Sequence, residues 1–212
     1  ISDNYPEDQI EFDISKIKLI TIDIETKSEN GFPDVESASE EVLLITIQDY
    51  TSKKIITWGV GSFNNKHDNV DYRQCSDEHH LLSSFIQWWI ENTPDVVTGW
   101  NCEFFDMPYL AGRLNRVLGA KMMKRLSPWG LVTQDEIMKM GRKNFVVDIG
   151  GVSVLDYMRL YRWSPGTPNQ ESFRLDYIAQ QELGQKKLDH SEYDTFKDFY
   201  TKGWQKFVEY NI

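Results

Sequence analysis

The sequence predicts a mixed α/β domain in which a β-sheet is flanked by helices, and the order of its segments predicts this class. Apolar, β-branched segments at residues 17–25, Val42–Tyr50 and Lys53–Val60 are typical of strands in meander order. An amphipathic helix, a short strand and further helices follow. This order is expected of a ribonuclease-H-like fold, although a fold alone does not determine chemistry.

The first strand, residues 17–25, is apolar enough to be buried, and the turn Thr51-Ser52 separates the next two strands. Residues 61–76 are polar and predict a loop. Asp77 then precedes apolar residues at helical spacing, so it is expected to cap a helix that ends at Pro94.

A short strand is predicted at Asp95–Trp100, and a helix that opens at Pro108 and stops at Gly119 follows it. Residues 120–143 are basic and rich in Met, and their pattern assigns no element. Beyond them, Asn144–Ile149 and Val152–Leu155 flank Gly150-Gly151, which predicts a hairpin with the two glycines at its turn.

Helices are expected over Tyr157–Trp163, Ser172–Leu183 and Asp194–Ile212, with a loop at residues 164–169. Residues 1–16 are polar and acidic and are interpreted as a linker or the tail of a preceding region. The domain proper is therefore predicted to span residues 17–212.

Bulk properties limit the possible functions. A chain of 212 residues fits one domain, and 40% hydrophobic residues exclude disorder. The net charge of −10 argues against an autonomous duplex-binding protein, but not against a site where carboxylates gather around divalent cations. The two cysteines, Cys75 and Cys102, have no metal-like spacing, and a disulfide framework is not expected from them, which favours a reducing intracellular compartment. No apolar run approaches the length of a membrane span.

Acidic residues on two segments indicate the chemistry. Residues two apart in a strand face the same side, roughly 6.5 Å apart along the chain, so Asp23 and Glu25 present two carboxylates on one face. Asp106 follows the strand at Asp95–Trp100. Buried carboxylates are costly unless paired, and divalent cations are the usual partners of such a cluster. Alternatively, Asp23 lies on the solvated face of an edge strand, and Asp106 caps a helix.

The ordered set Asp23-Ile24-Glu25, Asn101-x-x-x-Phe105-Asp106 and a terminal Tyr210 resembles the three exonuclease motifs of family B DNA polymerases. The third motif in that family is Tyr-x-x-x-Asp, so its aspartate is expected at position 214, and the chain is interpreted as cut inside this motif. Further segments are similar to the polymerases of T-even-like bacteriophages; these are Gly31-Phe32-Pro33, Thr98-Gly99-Trp100-Asn101, Lys124-Arg125-Leu126-Ser127-Pro128, Ser153-Val154-Leu155-Asp156-Tyr157 and Glu209-Tyr210-Asn211-Ile212.

The resemblance implies a DnaQ-like exonuclease fold and a 3′→5′ proofreading exonuclease that acts on the primer end of DNA. By this match Asp23, Glu25 and Asp106 are metal ligands, and Glu25 also orients the nucleophilic water. Tyr210 would hydrogen-bond near the water and the scissile phosphate, and Asn101 would contact the terminal nucleotides. Mg²⁺ is the expected ion, with Mn²⁺ also suited to all-oxygen ligation.

The resemblance also implies DNA contacts by Phe32 and Phe105, and Lys187 as a basic residue near the site. Alternatively, Phe32 belongs to a turn pinned to the core, and Lys187 is a solvated surface lysine. The basic stretch that contains Lys121, Lys124 and Arg125 could contact phosphate, or it could be a solvated face.

Expected partners are the 3′ end of a single-stranded primer, a polymerase domain in the parent chain, and its sliding clamp and replisome proteins. The chain is expected to be a monomer located in the cytoplasm of an infected bacterial host. Two other functions stay open. One is an RNA-trimming exonuclease of the same superfamily. The other is a domain that binds a primer or single-stranded DNA without cutting it, because loss of the fourth carboxylate would weaken a metal site.

Overall fold

The computed structural model describes residues 13–29, 31–139, 141–167, 170–185 and 188–212. Eight strands are present in these ranges, and they form a six-stranded sheet and a separate two-stranded sheet. Their bounds are β1 Leu19–Thr26, β2 Val42–Asp49, β3 Ile55–Gly59, β4 Val70–Gln74, β5 Val96–Gly99, β6 Val132–Lys139, β7 Arg142–Ile149 and β8 Ser153–Asp156.

Seven α-helices are assigned in the same ranges. They are α1 Glu78–Glu91, α2 Asp106–Leu118, α3 Ala120–Met123, α4 Tyr157–Trp163, α5 Leu175–Leu183, α6 Phe196–Lys202 and α7 Trp204–Asn211. Among the residues described, no helix combines the length and apolar character that a membrane crossing requires.

The six-stranded sheet has the order β4-β3-β2-β1-β5-β8. The pairs β1–β2 and β2–β3 are antiparallel, whereas β3–β4, β1–β5 and β5–β8 are parallel. β1 therefore lies inside the sheet, with hydrogen-bonded neighbours on both edges. The mixed α/β fold expected from the sequence is confirmed, and so is the meander of β1, β2 and β3.

The core lies on both faces of this sheet. Ile20, Ile22 and Ile24 of β1 belong to a large apolar cluster that includes α1 and α2. A second cluster joins β2 to α6 and α7, and it includes Phe199 and Phe207. Because apolar side chains are removed from water on both faces, the sheet is sandwiched between two helical layers.

Several sequence-based predictions at the element level need correction. Residues 61–76 contain the edge strand β4, and a break at Gly203 divides the last predicted helix into α6 and α7. The predicted hairpin is wrong in its pairing, because β7 pairs with β6 whereas β8 joins β5 in the main sheet. Around Gly150-Gly151 only a single bridge, Ile149 to Val152, joins the two segments.

Helix starts also differ from the predictions. α2 begins at Asp106, two residues before Pro108, and it ends at Leu118 with Gly119 as its C-cap, where the stop was predicted. The Asp77 cap of α1 is confirmed, because its side chain accepts a hydrogen bond from the His80 N–H at 2.8 Å. The predicted linker at residues 1–16 lies largely outside the described residues.

Candidate active site

Asp23 and Glu25 lie on one face of β1. The strand alternates, with Ile20, Ile22 and Ile24 buried on the opposite face and both carboxylates half-buried. The two-residue period of a strand makes this unavoidable once the isoleucines enter the core. Since β1 is an interior strand, the alternative that Asp23 occupies an edge strand is wrong.

The third carboxylate, Asp106, can contact β1 because β5 ends before β1 does and leaves the last residues of β1 unpaired on that edge. Parallel pairing of β1 with β5 ends at Thr21 and Thr98, and β1 continues to Thr26. Asp106 Oδ1 accepts a hydrogen bond at 3.0 Å from the Ile24 N–H, a donor beyond the end of this pairing. The start of α2 is thereby fixed against the strand that carries Asp23 and Glu25.

Gly99 permits this close approach of β5 to β1. A Cβ atom at this position would lie 2.6 Å from the Ile22 carbonyl oxygen and 2.9 Å from Cys102 Cβ. Both neighbours are too close for a real Cβ atom, and the first is backbone. Only glycine therefore lets the chain turn here into the segment that leads to Asp106.

The environment of Asp106 is unfavourable to its charge. Its side chain is buried, and burial raises the pKa of this carboxyl well above its usual range. The negative charge of Asp23 raises it further, and that of Glu25 adds a smaller contribution in the same direction. The hydrogen bond from Ile24 opposes the shift. Asp106 is thus close enough to Asp23 and Glu25 to be repelled by both carboxylates.

A divalent cation fits this donor set. Three oxygen-donating carboxylates, one of them buried and destabilised by the other two, are the type of cluster that hard cations stabilise. Within the described ranges, no three Asp, Glu, His or Cys side chains already converge as ligands. Asp106 and Asp23 instead accept hydrogen bonds from Ile24 and from Asn211, respectively.

Asn101 lies in the turn between β5 and α2, and its backbone is held in a left-handed conformation with a φ of 67°. Asp156, which is buried at the end of β8, stabilises this turn. Its carboxylate accepts the N–H of Asn101 and the N–H of Glu103, both at 3.1 Å. The same carboxylate caps α4 through the Arg159 N–H. β8 therefore determines the conformation of the turn that carries Asn101.

Two phenylalanines pack against each other beside this turn. The rings of Phe32 and Phe105 have centroids 5.0 Å apart, and Phe105 in turn contacts Tyr109 at 5.5 Å. Phe32 is nevertheless 83% exposed, so it does not enter the core. The alternative of a turn pinned to the core by Phe32 is therefore wrong for its side chain. An exposed ring supported from behind is a surface on which a planar group can stack.

Tyr210 lies near the end of α7, on the face of the sheet that carries Asp23. Its ring contacts His190 and Phe199, each at 5.5 Å between centroids. Tyr210 and Asp23 both line an apolar cavity of about 670 Å³, which Trp100, Tyr157 and Leu160 also border. The structure therefore brings α7 next to the carboxylate-bearing strand. Lys187 lies outside the described residues.

The structure brings together residues that are distant in the sequence. Asp106 contacts the backbone of β1 between Asp23 and Glu25, Tyr210 borders a cavity with Asp23, and the turn of Asn101 leads into Asp106 through Phe105. Asn211 and Asp156 were missed as functional candidates. Both residues lie in segments that are similar to the phage polymerases. The sequences of these segments do not indicate which carboxylate or backbone group each side chain contacts.

Comparisons with known proteins agree on one family. The family model for the exonuclease domain of DNA polymerase family B matches residues 2–178. A DNA-directed DNA polymerase of Escherichia phage RB69 is 30% identical over 240 residues, which cover 100% of this chain and 26% of the phage protein. The DNA-directed DNA polymerase of Enterobacteria phage T4 is 30% identical over 237 residues, with the same coverage of each chain.

A DNA polymerase of Thermococcus litoralis is 28% identical over 173 residues, which cover 81% of this chain and 9% of that protein. The chain therefore spans about a quarter of the length of the phage relatives and less of the archaeal one. The family model ends before α7, whereas the two phage alignments extend over all of this chain.

Proposed function

The chain belongs to the exonuclease domains of family B DNA polymerases, of the type found in T4-like phages, and from this we propose that it removes nucleotides one at a time from the 3′ end of DNA. The substrate is the single-stranded 3′ end of a primer. The products are deoxynucleoside 5′-monophosphates, and the biological role is proofreading in a parent polymerase.

One observation supports this proposal more than any other. Asp23 and Glu25 lie on β1, Asp106 at the start of α2 accepts the N–H of Ile24 between them, and the pKa of Asp106 is raised by burial and by the other two carboxylates. A divalent cation bound between these carboxylates would offset their repulsion. Phosphodiester hydrolysis by divalent cations is the chemistry that such a cluster supports.

Exonuclease domains of this family depend on divalent metal ions, and we propose Mg²⁺ or Mn²⁺ held by Asp23, Glu25 and Asp106. When bound, two such cations would lower the pKa of a water and stabilise charge on the departing 3′ oxygen. Glu25 would orient the attacking water through its carboxylate. Tyr210 would donate its hydroxyl proton to a hydrogen bond near the scissile phosphate.

The aromatic pair and the β5–α2 turn would hold the DNA. The terminal base would stack on Phe32, with Phe105 behind it, an interaction that tolerates any base. Asn101 would hydrogen-bond to the terminal nucleotides from the turn that Asp156 stabilises. By the same match, Lys187 would supply a positive charge near the site.

The fourth ligand in this proposal is the third-motif aspartate expected four residues after Tyr210, and without this ligand we expect cleavage to be weak or absent. The domain would include residues 17–212. The parent would carry a polymerase domain and would act with a sliding clamp and replisome proteins. As the phage relatives imply, the parent is a viral protein in an infected host, and we propose the bacterial cytoplasm as its site.

The test is degradation of a 3′-labelled single-stranded DNA with Mg²⁺ or Mn²⁺ present. Three proteins are compared, namely this chain, a version extended through the expected aspartate, and the extended version with Asp23→Ala. The extended version with Asp71→Ala is a matched control, because Asp71 is an acidic residue on the edge strand β4. We expect nucleotide release by the extended chain and its Asp71→Ala variant, and none by Asp23→Ala.

An extended chain that binds the strand without cutting it would contradict the proposal and favour a primer-binding domain. Equal cleavage of a matched RNA strand would favour an RNA-trimming enzyme of the same superfamily. Strong metal-dependent cleavage by the 212-residue chain would show that three carboxylates suffice.

A further inference from the structure

Three polar residues stand in line across neighbouring strands of the main sheet. Asp23 of β1 is directly opposite Thr46 of β2, and Thr46 is directly opposite Thr57 of β3. Both threonines are buried, and their hydroxyl oxygens are 2.9 Å apart. Buried hydroxyls are costly unless they are hydrogen-bonded, so this row needs a polar partner from the layer above it.

Asn211 of α7 is that partner. Its side chain is buried over the sheet, where Nδ2 donates to Asp23 Oδ2 at 2.8 Å and Oδ1 accepts a hydrogen bond from the Thr46 hydroxyl. The direction of each bond follows from chemistry. The Asp23 carboxylate can only accept, so the amide nitrogen must face it and the amide oxygen must face Thr46.

The hydroxyl of Thr46 has one proton, and Asn211 accepts it. Thr57 must therefore donate to Thr46, and the chain of hydrogen bonds runs in one direction, from Thr57 through Thr46 to the amide of Asn211. The amide cannot rotate by half a turn without facing its oxygen towards the Asp23 carboxylate. Such a rotation would also leave the Thr46 donor without its acceptor.

We propose that Asn211 is a positioning residue for Asp23, with Thr46 and Thr57 as its anchors. The β1 backbone fixes only the Cβ atom of Asp23, and the terminal torsion of an aspartate is broad. A hydrogen bond to Oδ2 from a rigidly held amide restricts that torsion. The inference rests on the proposed role of Asp23 as a metal ligand, for which hydrogen-bonded outer partners commonly matter.

The test uses the 212-residue chain and a matched pair of substitutions at Thr46, which lies on β2 and is buried beneath α7. Thr46→Val preserves shape and removes the hydroxyl, whereas Thr46→Ser keeps it. Mn²⁺ binding is measured by electron paramagnetic resonance for the wild type, both Thr46 variants and Asn211→Ala. Circular dichroism and thermal unfolding verify that each variant is folded.

Loss of an outer-shell partner typically weakens metal binding by about 10- to 100-fold, and we expect Asn211→Ala to lie in this range. Thr46→Val should weaken binding by a smaller factor in the same direction, and Thr46→Ser should bind as the wild type does. Wild-type affinity in folded Asn211→Ala and Thr46→Val would overturn the proposal, because the amide would then have no influence on the metal ligand.

A second readout separates this inference from the proposed function. In ¹⁵N-labelled protein without metal, the Asn211 side-chain amide protons should exchange slowly and should shift in Thr46→Val and in Asp23→Asn. If neither the wild type nor the version extended through the expected aspartate binds Mn²⁺ but these signals are present, the metal role of Asp23 fails and its positioning by Asn211 stands. Rapidly exchanging amide protons that neither variant shifts would overturn the positioning itself.

Discussion

At the scale of single residues, Phe32 combines high exposure with support from behind. Its ring is 83% exposed yet packs on Phe105, whose own ring contacts Tyr109. Little of its apolar surface is removed from water by folding, so the ring contributes little to stability. An aromatic ring held in this way can instead cover the face of a nucleobase.

We therefore expect Phe32→Ala to leave the free energy of unfolding within about 0.5 kcal/mol of the wild type. Its affinity for a short single-stranded DNA should fall by about 1–3 kcal/mol, the contribution of one stacked base. Urea unfolding and fluorescence anisotropy measure the two quantities. Trp129→Ala is the control, since Trp129 is 70% exposed and lies outside the proposed site. Equal losses of affinity in both variants would remove Phe32 from the DNA-binding surface.

Some features of the candidate site follow from short stretches of sequence, whereas others depend on contacts between distant residues. The placement of Asp23 and Glu25 on one face could be predicted, because alternation along β1 depends only on neighbouring positions. Asn211 could not, because its bond to Asp23 spans 188 residues and depends on where α7 crosses the sheet. Asp156 likewise contacts a turn more than fifty positions earlier, so its role follows from the pairing of β8 with β5.

At the scale of elements, a buried ion pair joins α1 to α2. Glu78 at the start of α1 accepts hydrogen bonds from Arg113 of α2 and from the Val42 N–H of β2. Arg113 also donates to the carbonyl oxygens of Ala38 and Ser39. One charged pair therefore connects two helices, a strand and the loop before that strand, and both side chains are almost wholly buried.

We expect Arg113→Met to destabilise the protein by about 3–5 kcal/mol, because it leaves the Glu78 carboxylate buried without its counter-charge. Lys143→Met is the matched control. Lys143 bridges Glu36 and Glu136, but all three side chains are exposed and screened by water, so the loss of stability should be far smaller than that of Arg113→Met. Urea unfolding midpoints measure both changes. Similar midpoints in the two variants would mean that burial does not determine the strength of these pairs.

Elements with strong local periodicity were predicted, and those that depend on distant pairing were not. The Asp77 cap and the apolar spacing identified α1. β4 was missed because this edge strand, Val-Asp-Tyr-Arg-Gln, is mostly polar and has one buried residue. The two glycines at 150 and 151 indicated a turn, but no local signal sends β8 to β5 and β7 to β6.

At the scale of the whole molecule, the proposed function requires an acidic chain to bind DNA, which is itself an acidic polymer. The net charge of −10 comes from 33 acidic and 23 basic residues. Three of the acidic residues form the proposed metal site, where bound cations would offset their negative charge. Because the overall field repels phosphate, affinity for DNA is expected to come from base stacking and from the metal site more than from basic side chains.

If basic side chains contribute little to the affinity, DNA binding should depend only weakly on salt concentration. The logarithm of the binding constant for a single strand falls with the logarithm of salt concentration with a slope of about −0.7 per neutralised phosphate. With few phosphate contacts, we expect a slope no steeper than about −2. The measurement is the fluorescence anisotropy of a labelled oligonucleotide, blocked against cleavage by phosphorothioate linkages, across a NaCl series at constant divalent ion concentration.

Replacing Lys121, Lys124 and Arg125 together by Gln should leave this slope unchanged if the basic stretch is only a solvated face. A steep slope that this triple variant reduces would instead identify the stretch as a phosphate-binding surface.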